Sequence, residues 1–349
     1  MVDIAIGENR KLDRRSFLKW IGAVGLGLSP LVLAEPVRDR MWGRGLASAT
    51  RMRPLMGTWV TVTVLDPSED RAREGMEAAF QEMERLIPLL DRHTPGTPVS
   101  VLNQKGYLAD VPPALSEVLQ KALTISRWTG GAFDMTVKPI LDLFEDHFSR
   151  MNRPPSGGEI REVLALVGMS NLSLRGGEIR FLRDGMGISL DGIAKGYIVD
   201  CAGSRLRGMG IRHALINAGG DILALGDKGN HQPWRVAIQD PWDKNRMLQM
   251  IPLRDAAVAT SGDYENHFDS DRKFHHIIDP QTGFSPHHFT SVSVIAPSLA
   301  LADGLATAAF IPTPERAKDF LRSISGACAL WVHRTRRKEQ STGWPEALA

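Results

Sequence analysis

Asp303 and Thr307 lie four residues apart in the stretch ALADGLAT (300–307), so on a helix their oxygens face the same way. Two hard oxygen ligands in that relation suit Mg²⁺, which takes few protein groups and completes its shell with water and substrate phosphate. An Asp cap with Thr bonding back to a helix carbonyl accounts for the same pair. A second segment, SLDGIAKGY (189–197), reads as the end of a strand and the start of a helix. A helix start offers free N–H groups and a positive dipole end to a phosphate. Lys195 adds a charge in its first turn, and Asp191 fits either an N-cap or a ligand contact. Gly-Lys-Ser/Thr is absent, which excludes a Walker nucleotide site, and no G-x-G-x-x-G follows a strand to support a Rossmann site.

Two glycine-rich segments add backbone rather than side chains. In NAGGD (217–221), Gly219 and Gly220 separate two apolar strands. They form either a plain hairpin turn or bare backbone against which a diphosphate lies. In GGAFDMT (130–136), Ala132, Phe133 and Asp134 follow the glycines, and a carboxylate beside an aromatic suits a sugar or ring contact. A helix C-cap followed by a strand explains the glycines alone. Five of the ten histidines fall between 260 and 310: His267, His275, His276, His287 and His288. Neither the helical i, i+4 spacing nor a Cys partner that zinc usually takes is present, and His275 and His276 on a strand point to opposite faces. One histidine of FHHIIDPQTG (274–283) is better placed as a general base or ligand contact.

These segments need elements to hold them. A β-branched run at 56–65 reads as a strand, and helical spacing of apolar residues marks 69–90 and 114–128. The patch at 153–158 reads as a subdomain seam. Short strands are expected at 178–190, 213–217, 221–225, 234–240 and 247–253, then helices at 299–311 and 314–324 and a last strand at 327–332. Irregular interleaving of strands and helices predicts an α+β fold. Residues 35–50 read as a flexible tether and 333–349 as a polar C-terminal tail, leaving 51–332 as one functional domain. Cys201 and Cys328 are too few for a disulfide framework.

Residues 11–34 carry the pair Arg14-Arg15, then Phe17-Leu18-Lys19 and a 15-residue apolar run ending at Ala34. The run is shorter than the ~18–20 residues of a membrane span. The arrangement resembles a twin-arginine export signal over 1–34 and predicts a folded, periplasmic protein. The 349-residue chain has 42 Lys+Arg against 40 Asp+Glu, with five of the basic and three of the acidic residues inside 1–34. The remainder is balanced at 37 of each, which excludes a polybasic nucleic-acid binder. It also leaves no global field to draw in an anionic ligand.

Seven segments in order, MGT (56–58), GGAFDMTVKP (130–139), SLDGIAKGY (189–197), NAGGD (217–221), ATSGDYENHF (259–268), HHIIDPQTG (275–283) and ADGLATAAF (302–310), resemble the ApbE family of FAD:protein FMN transferases. The resemblance implies a two-lobed α+β fold with mixed sheets and flanking helices, and FAD in the cleft between the lobes. It implies cleavage of the FAD diphosphate, transfer of FMN to a Thr or Ser hydroxyl of an acceptor protein, and release of AMP. Met56, Ala132, Phe133, Asp134, Asp191, Tyr197 and His276 are implied to contact FAD. The Ala194 carbonyl, a backbone oxygen near Ala300, Asp303 and Thr307 are implied to hold Mg²⁺. Such chemistry needs charge neutralisation, in-line geometry and a base. Lys195 and the glycine backbone meet the first two, and His276 is the candidate base with Asp279 as runner-up. Where the family often has an aromatic before S-x-L-N, this chain has His93. The implied acceptor is a flavin-carrying subunit of a membrane redox complex, and the export signal without a lipid anchor is similar to NosX, whose acceptor is NosR. An FAD pyrophosphatase and a non-catalytic periplasmic FAD-binding protein are the competing readings.

Overall fold

The structure is a computed structural model that describes residues 45–243 and 245–348; the export signal expected at 1–34 lies outside the described residues. Its first hairpin, β1 (Ala47–Leu55) and β2 (Thr58–Asp66), turns through Met56 and Gly57, both with positive φ. Met56 is a non-glycine residue in the left-handed region, a local strain accepted to keep the turn at two residues. The central sheet has eight strands in the order β1-β2-β6-β7-β10-β11-β12-β13. The other members are β6 (His213–Ala218), β7 (Asp221–Leu225), β10 (Ala256–Gly262), β11 (Phe289–Ala296), β12 (Cys328–His333) and β13 (Lys338–Gln340). Every pairing in it is antiparallel. The α+β architecture expected from the sequence is the one observed.

Helices α1 (Glu69–Leu90), α6 (Ala194–Gly208) and α7 (Leu299–Phe310) cover one face of the sheet. Apolar residues of α1 such as Phe80, Met83 and Leu86 are fully buried against it. Between α1 and α6 the chain forms α2 (Pro98–Lys105), α3 (Pro113–Trp128), α4 (Lys138–Met151) and α5 (Gly157–Leu164). A small sheet of β3 (Tyr107–Leu108), β5 (Glu178–Phe181) and β4 (Leu172–Arg175) lies there too. The hairpin β8 (Trp234–Gln239) and β9 (Met247–Leu253) covers the opposite face of the main sheet, and α8 (Pro314–Arg322) precedes β12. A separate cluster of Ile140, Phe144 and Ile160, flanked by Phe148, Phe268 and Phe274, forms the core of the second lobe.

Because the sheet is covered on both faces, its central strands lose the in–out alternation of a half-exposed strand. All eight residues of β11 are buried, including Thr290, Ser291 and Ser293. This strand is absent from the sequence-based expectations, which instead run one strand over 178–190. The observed β5 stops at Phe181, and 182–193 is loop. Two boundaries also need correction. Residues 47–50, expected in the tether, pair in β1, and the expected tail supplies β13 and the buried Trp344. Cys201 and Cys328 are both free thiols.

The contact between α6 and α7 is set by Gly196 in the first turn of α6. A Cβ there would stand 2.5 Å from the Leu299 carbonyl oxygen and 2.7 Å from the Ala300 nitrogen. The Asp200 carboxylate then caps α7, accepting from the N–H groups of Leu299 (2.7 Å) and Ala300 (2.8 Å). Gly196→Ala has no flexible side chain to push aside and is expected to cost about 1–3 kcal/mol, read as a lowered Tm.

Candidate active site

The two lobes enclose a cavity of about 1280 Å³. It exceeds the ~300–1,000 Å³ of an ordinary small-molecule pocket and is roomy enough for a dinucleotide. Turns and element ends build its walls. Met56 and Thr58 come from the first hairpin, Ala132, Phe133 and Asp134 from the loop after α3, and Asp191 and Lys195 from the entry to α6. Gly219 and Gly220 come from the β6–β7 turn, His276 from the β10–β11 connection, and Asp303 and Thr307 from α7. Gly219 serves two ends at once. Its φ of +67° makes the turn, and its missing Cβ leaves the room that Thr58 Oγ1 fills, 2.4 Å from where that atom would stand. The turn reading of NAGGD is therefore the one observed, and both glycines of that turn line the cavity.

One corner concentrates charge. Lys195 Nζ lies 2.8 Å from Asp221 Oδ2, and Asp221 Oδ1 accepts the Thr260 N–H at 3.1 Å. Burial works against the Lys195 charge, but the Asp221 and Asp303 carboxylates outweigh it and hold the ammonium protonated. Asp303 is buried and accepts the Gly196 N–H at 3.3 Å. Burial, reinforced by the neighbouring Asp221, pushes its carboxyl well above the usual range. Thr307 Oγ1 lies 3.3 Å from Ser261 Oγ. Among the described residues no cluster of three His, Cys, Asp or Glu side chains could hold a metal. The corner nevertheless fits Mg²⁺: a buried carboxylate short of positive charge and a hydroxyl one turn away offer hard oxygens, and Mg²⁺ asks few protein groups.

His276 lines the same cavity. Its Nδ1 lies 2.9 Å from the Asn266 carbonyl oxygen, which only accepts, so Nδ1 carries the proton and Nε2 the lone pair. Burial lowers its pKa, partly offset by that same hydrogen bond, so the ring is neutral at physiological pH. His275 faces the other way, fully buried edge-on to Phe310, with Nε2 at 3.0 Å from the Pro286 carbonyl and its pKa pushed down to about 3 by burial. The two neighbours thus divide between core and cavity, as strand-like geometry predicts.

The ApbE family model matches residues 56–331. The chain belongs to the ApbE family. The FAD:protein FMN transferase of Treponema pallidum is 31% identical over 288 residues, covering 77% of this chain and 79% of that protein. That of Vibrio cholerae is 33% identical over 274 residues, covering 75% and 81%. Among solved structures, the ApbE protein of Thermotoga maritima superposes with a TM-score of 0.76 at 29% identity, covering 85% of this chain and 97% of that one. The Vibrio cholerae flavin transferase ApbE gives 0.72 at 26% identity over 85% and 98%.

Within this ApbE scaffold, four of the residues singled out from the sequence do not line the cavity. Tyr197 is buried in the helical core, where its hydroxyl lies 2.9 Å from Glu117 Oε2. Asp279 folds its carboxylate onto its own turn, accepting from Gln281 N (2.9 Å) and the Thr282 hydroxyl (3.0 Å), which leaves it unsuited as a base. Ala194 and Ala300 sit behind the wall at the α6–α7 contact, where only backbone can take part. Asp191 is not the N-cap of α6, which is Ile193. Its carboxylate instead pairs with Arg92, with Nη2 at 2.8 Å and Nε at 3.1 Å. Burial alone raises the Asp191 pKa, but the Arg92 guanidinium more than reverses it and keeps the group anionic. Sequence reasoning missed Arg92, and it missed Asn245, Arg246 and Met247, by which the β8–β9 hairpin closes one side of the cavity. The short strands expected at 234–240 and 247–253 match that hairpin, but nothing in them carried a sign of where its tip lands.

Proposed function

We propose that this chain transfers FMN from FAD to a Thr or Ser hydroxyl of an acceptor protein and releases AMP, in the periplasm and with Mg²⁺. The observation that carries the reading is the convergence on one large cavity of Lys195, Asp303 and Thr307 with a neutral His276, in a chain whose relatives are named for this transfer. The acceptor hydroxyl attacks the phosphorus on the flavin side of the diphosphate. The bond to the AMP oxygen breaks as the new phosphoester forms, and AMP departs as the leaving group. His276 takes the hydroxyl proton on Nε2 while the Asn266 carbonyl holds its ring and tautomer. Lys195, fixed by Asp221, places a permanent cation beside the phosphates, and the backbone at Gly219 and Gly220 lets the diphosphate approach closely. Asp303, Thr307 and nearby backbone oxygens are the groups that hold Mg²⁺, which supplies charge neutralisation on the phosphate oxygens when bound. Met56, Phe133, Asp134 and Asp191 line the remaining length for the two ring systems. The twin-arginine pattern of residues 14–19 supports export in the folded state, and a NosR-like membrane subunit is the acceptor class that this route favours.

The test mixes purified protein, FAD, Mg²⁺ and a flavin-carrying membrane-complex subunit. Transfer yields a flavin-fluorescent acceptor band that survives denaturation. Free FMN with AMP and no labelled band indicates hydrolysis instead, and neither product indicates binding alone.

A further inference from the structure

The connection that bears His276 is tied down outside the cavity. Asp263 is the first residue after β10 and is 2% exposed, and its N–H donates to the Thr290 carbonyl at 3.0 Å. Its Oδ2 meets Arg334 Nη2 at 3.0 Å, and the same Nη2 donates to the Arg272 carbonyl. Arg334, just past β12, therefore joins the outgoing arm of the connection at 263 to its returning arm at 272. Between these arms the backbone is cross-linked: His267 bridges His275, the Phe268 N–H donates to the Phe274 carbonyl at 2.7 Å, and Asn266 receives both His276 N–H groups. Displacing residue 263 moves Asn266, three residues on, and with it the imidazole.

Stability does not account for this pair. Asp263 Oδ1 and Arg334 Nε are both buried without a hydrogen-bond partner among the described residues. Asp263 is buried while the Arg334 side chain is 32% exposed, and a half-satisfied ion pair of this kind is a poor stabiliser compared with apolar side chains of similar size. What it does supply is registry between the sheet and the connection. The tip is held separately, with Phe268 and Phe274 packed on Phe144 and Phe148 at centroid distances of 5.6–5.9 Å. We propose that Arg334 is a positioning residue for His276, acting through Asp263 and the Arg272 carbonyl. This inference rests on the transferase reading above.

The experiment compares wild type, Arg334→Ala and Arg334→Lys for FAD binding by flavin fluorescence and for the rate of FMN transfer. Arg334→Ala is expected to bind FAD within about twofold of wild type while kcat falls at least tenfold, since a small misplacement of a catalytic group costs that much or more. Arg334→Lys recovers a large part of the rate. In a His276→Ala background, Arg334→Ala has no further effect on the residual rate. Where Arg334→Ala fails to fold, Asp263→Asn/Arg334→Gln removes both charges together and is read in the same way. An Arg334→Ala rate equal to wild type, equal losses in FAD affinity and rate, or additive losses with His276→Ala overturn the inference. A wild type that transfers nothing sinks the transferase reading instead, so the two failures are distinguishable.

Discussion

Asp303→Asn is expected to abolish the proposed response of the protein to Mg²⁺ without weakening the metal-free fold. The side chain is buried beside Asp221, and both burial and that neighbour disfavour its charge. Asparagine keeps the shape and removes the charge, so the metal-free variant is expected to melt no lower than wild type. If the proposed site holds Mg²⁺ in the folded state alone, the wild-type Tm is expected to rise as the metal concentration exceeds Kd. In the variant that rise disappears, because the principal anionic ligand is gone. Transfer falls by about a hundredfold or more, the order lost when one preorganised charge-stabilising group is removed from such a site. Thermal melts with and without Mg²⁺ read the first effect, and the acceptor-labelling assay reads the second. An equal Mg²⁺-induced Tm shift in both proteins removes Asp303 from the metal site. Thr307→Ala, which leaves the carboxylate in place, is expected to give a smaller loss in the same direction.

The difference between what was legible in the sequence and what was not follows the range of the interactions involved. Asp303 and Thr307 were legible because a helix converts a spacing of four into a shared face without help from elsewhere. The Gly219-Gly220 turn was legible because positive φ leaves a local compositional mark. Arg92 and Asp191 are 99 residues apart, and so are Asp200 and Leu299; no local pattern encodes either pair. For the same reason Asp191, placed correctly at the start of α6, was open to the wrong local role as its cap. Strand β11 was hidden by its own environment, since burial of both faces removes the alternation on which strand detection depends. The C-terminal segment looked polar because its anchoring groups are polar: Arg334 is paired with buried Asp263, while Trp344 donates to Gln249 Oε1 at 3.2 Å. Tyr197 shows the reverse error. Its helix lies at the cavity, but its position on the helical turn points it into the core.

His276→Ala is the second large effect and separates binding from chemistry. The imidazole is a small part of the wall of a cavity of about 1280 Å³, so FAD affinity is expected to stay within a few-fold of wild type. The rate of transfer falls by about 10²–10⁴, the range a positioned general base contributes. The pH profile sharpens the assignment. Burial lowers the His276 pKa below its ordinary value of 6.5, and only the neutral ring can accept a proton. The wild-type rate therefore rises with pH through an acid limb below 6.5 and is level by neutrality. In His276→Ala that limb vanishes along with most of the rate. Asp279→Asn supplies the contrast: its carboxylate is spent on its own turn, so the substitution is expected to lower Tm and leave the pH profile in place. If His276→Ala retains near-normal transfer with the wild-type acid limb, the base is another group. If the limb disappears in Asp279→Asn but persists in His276→Ala, the proton acceptor is the carboxylate, and the turn that holds it must open when FAD binds.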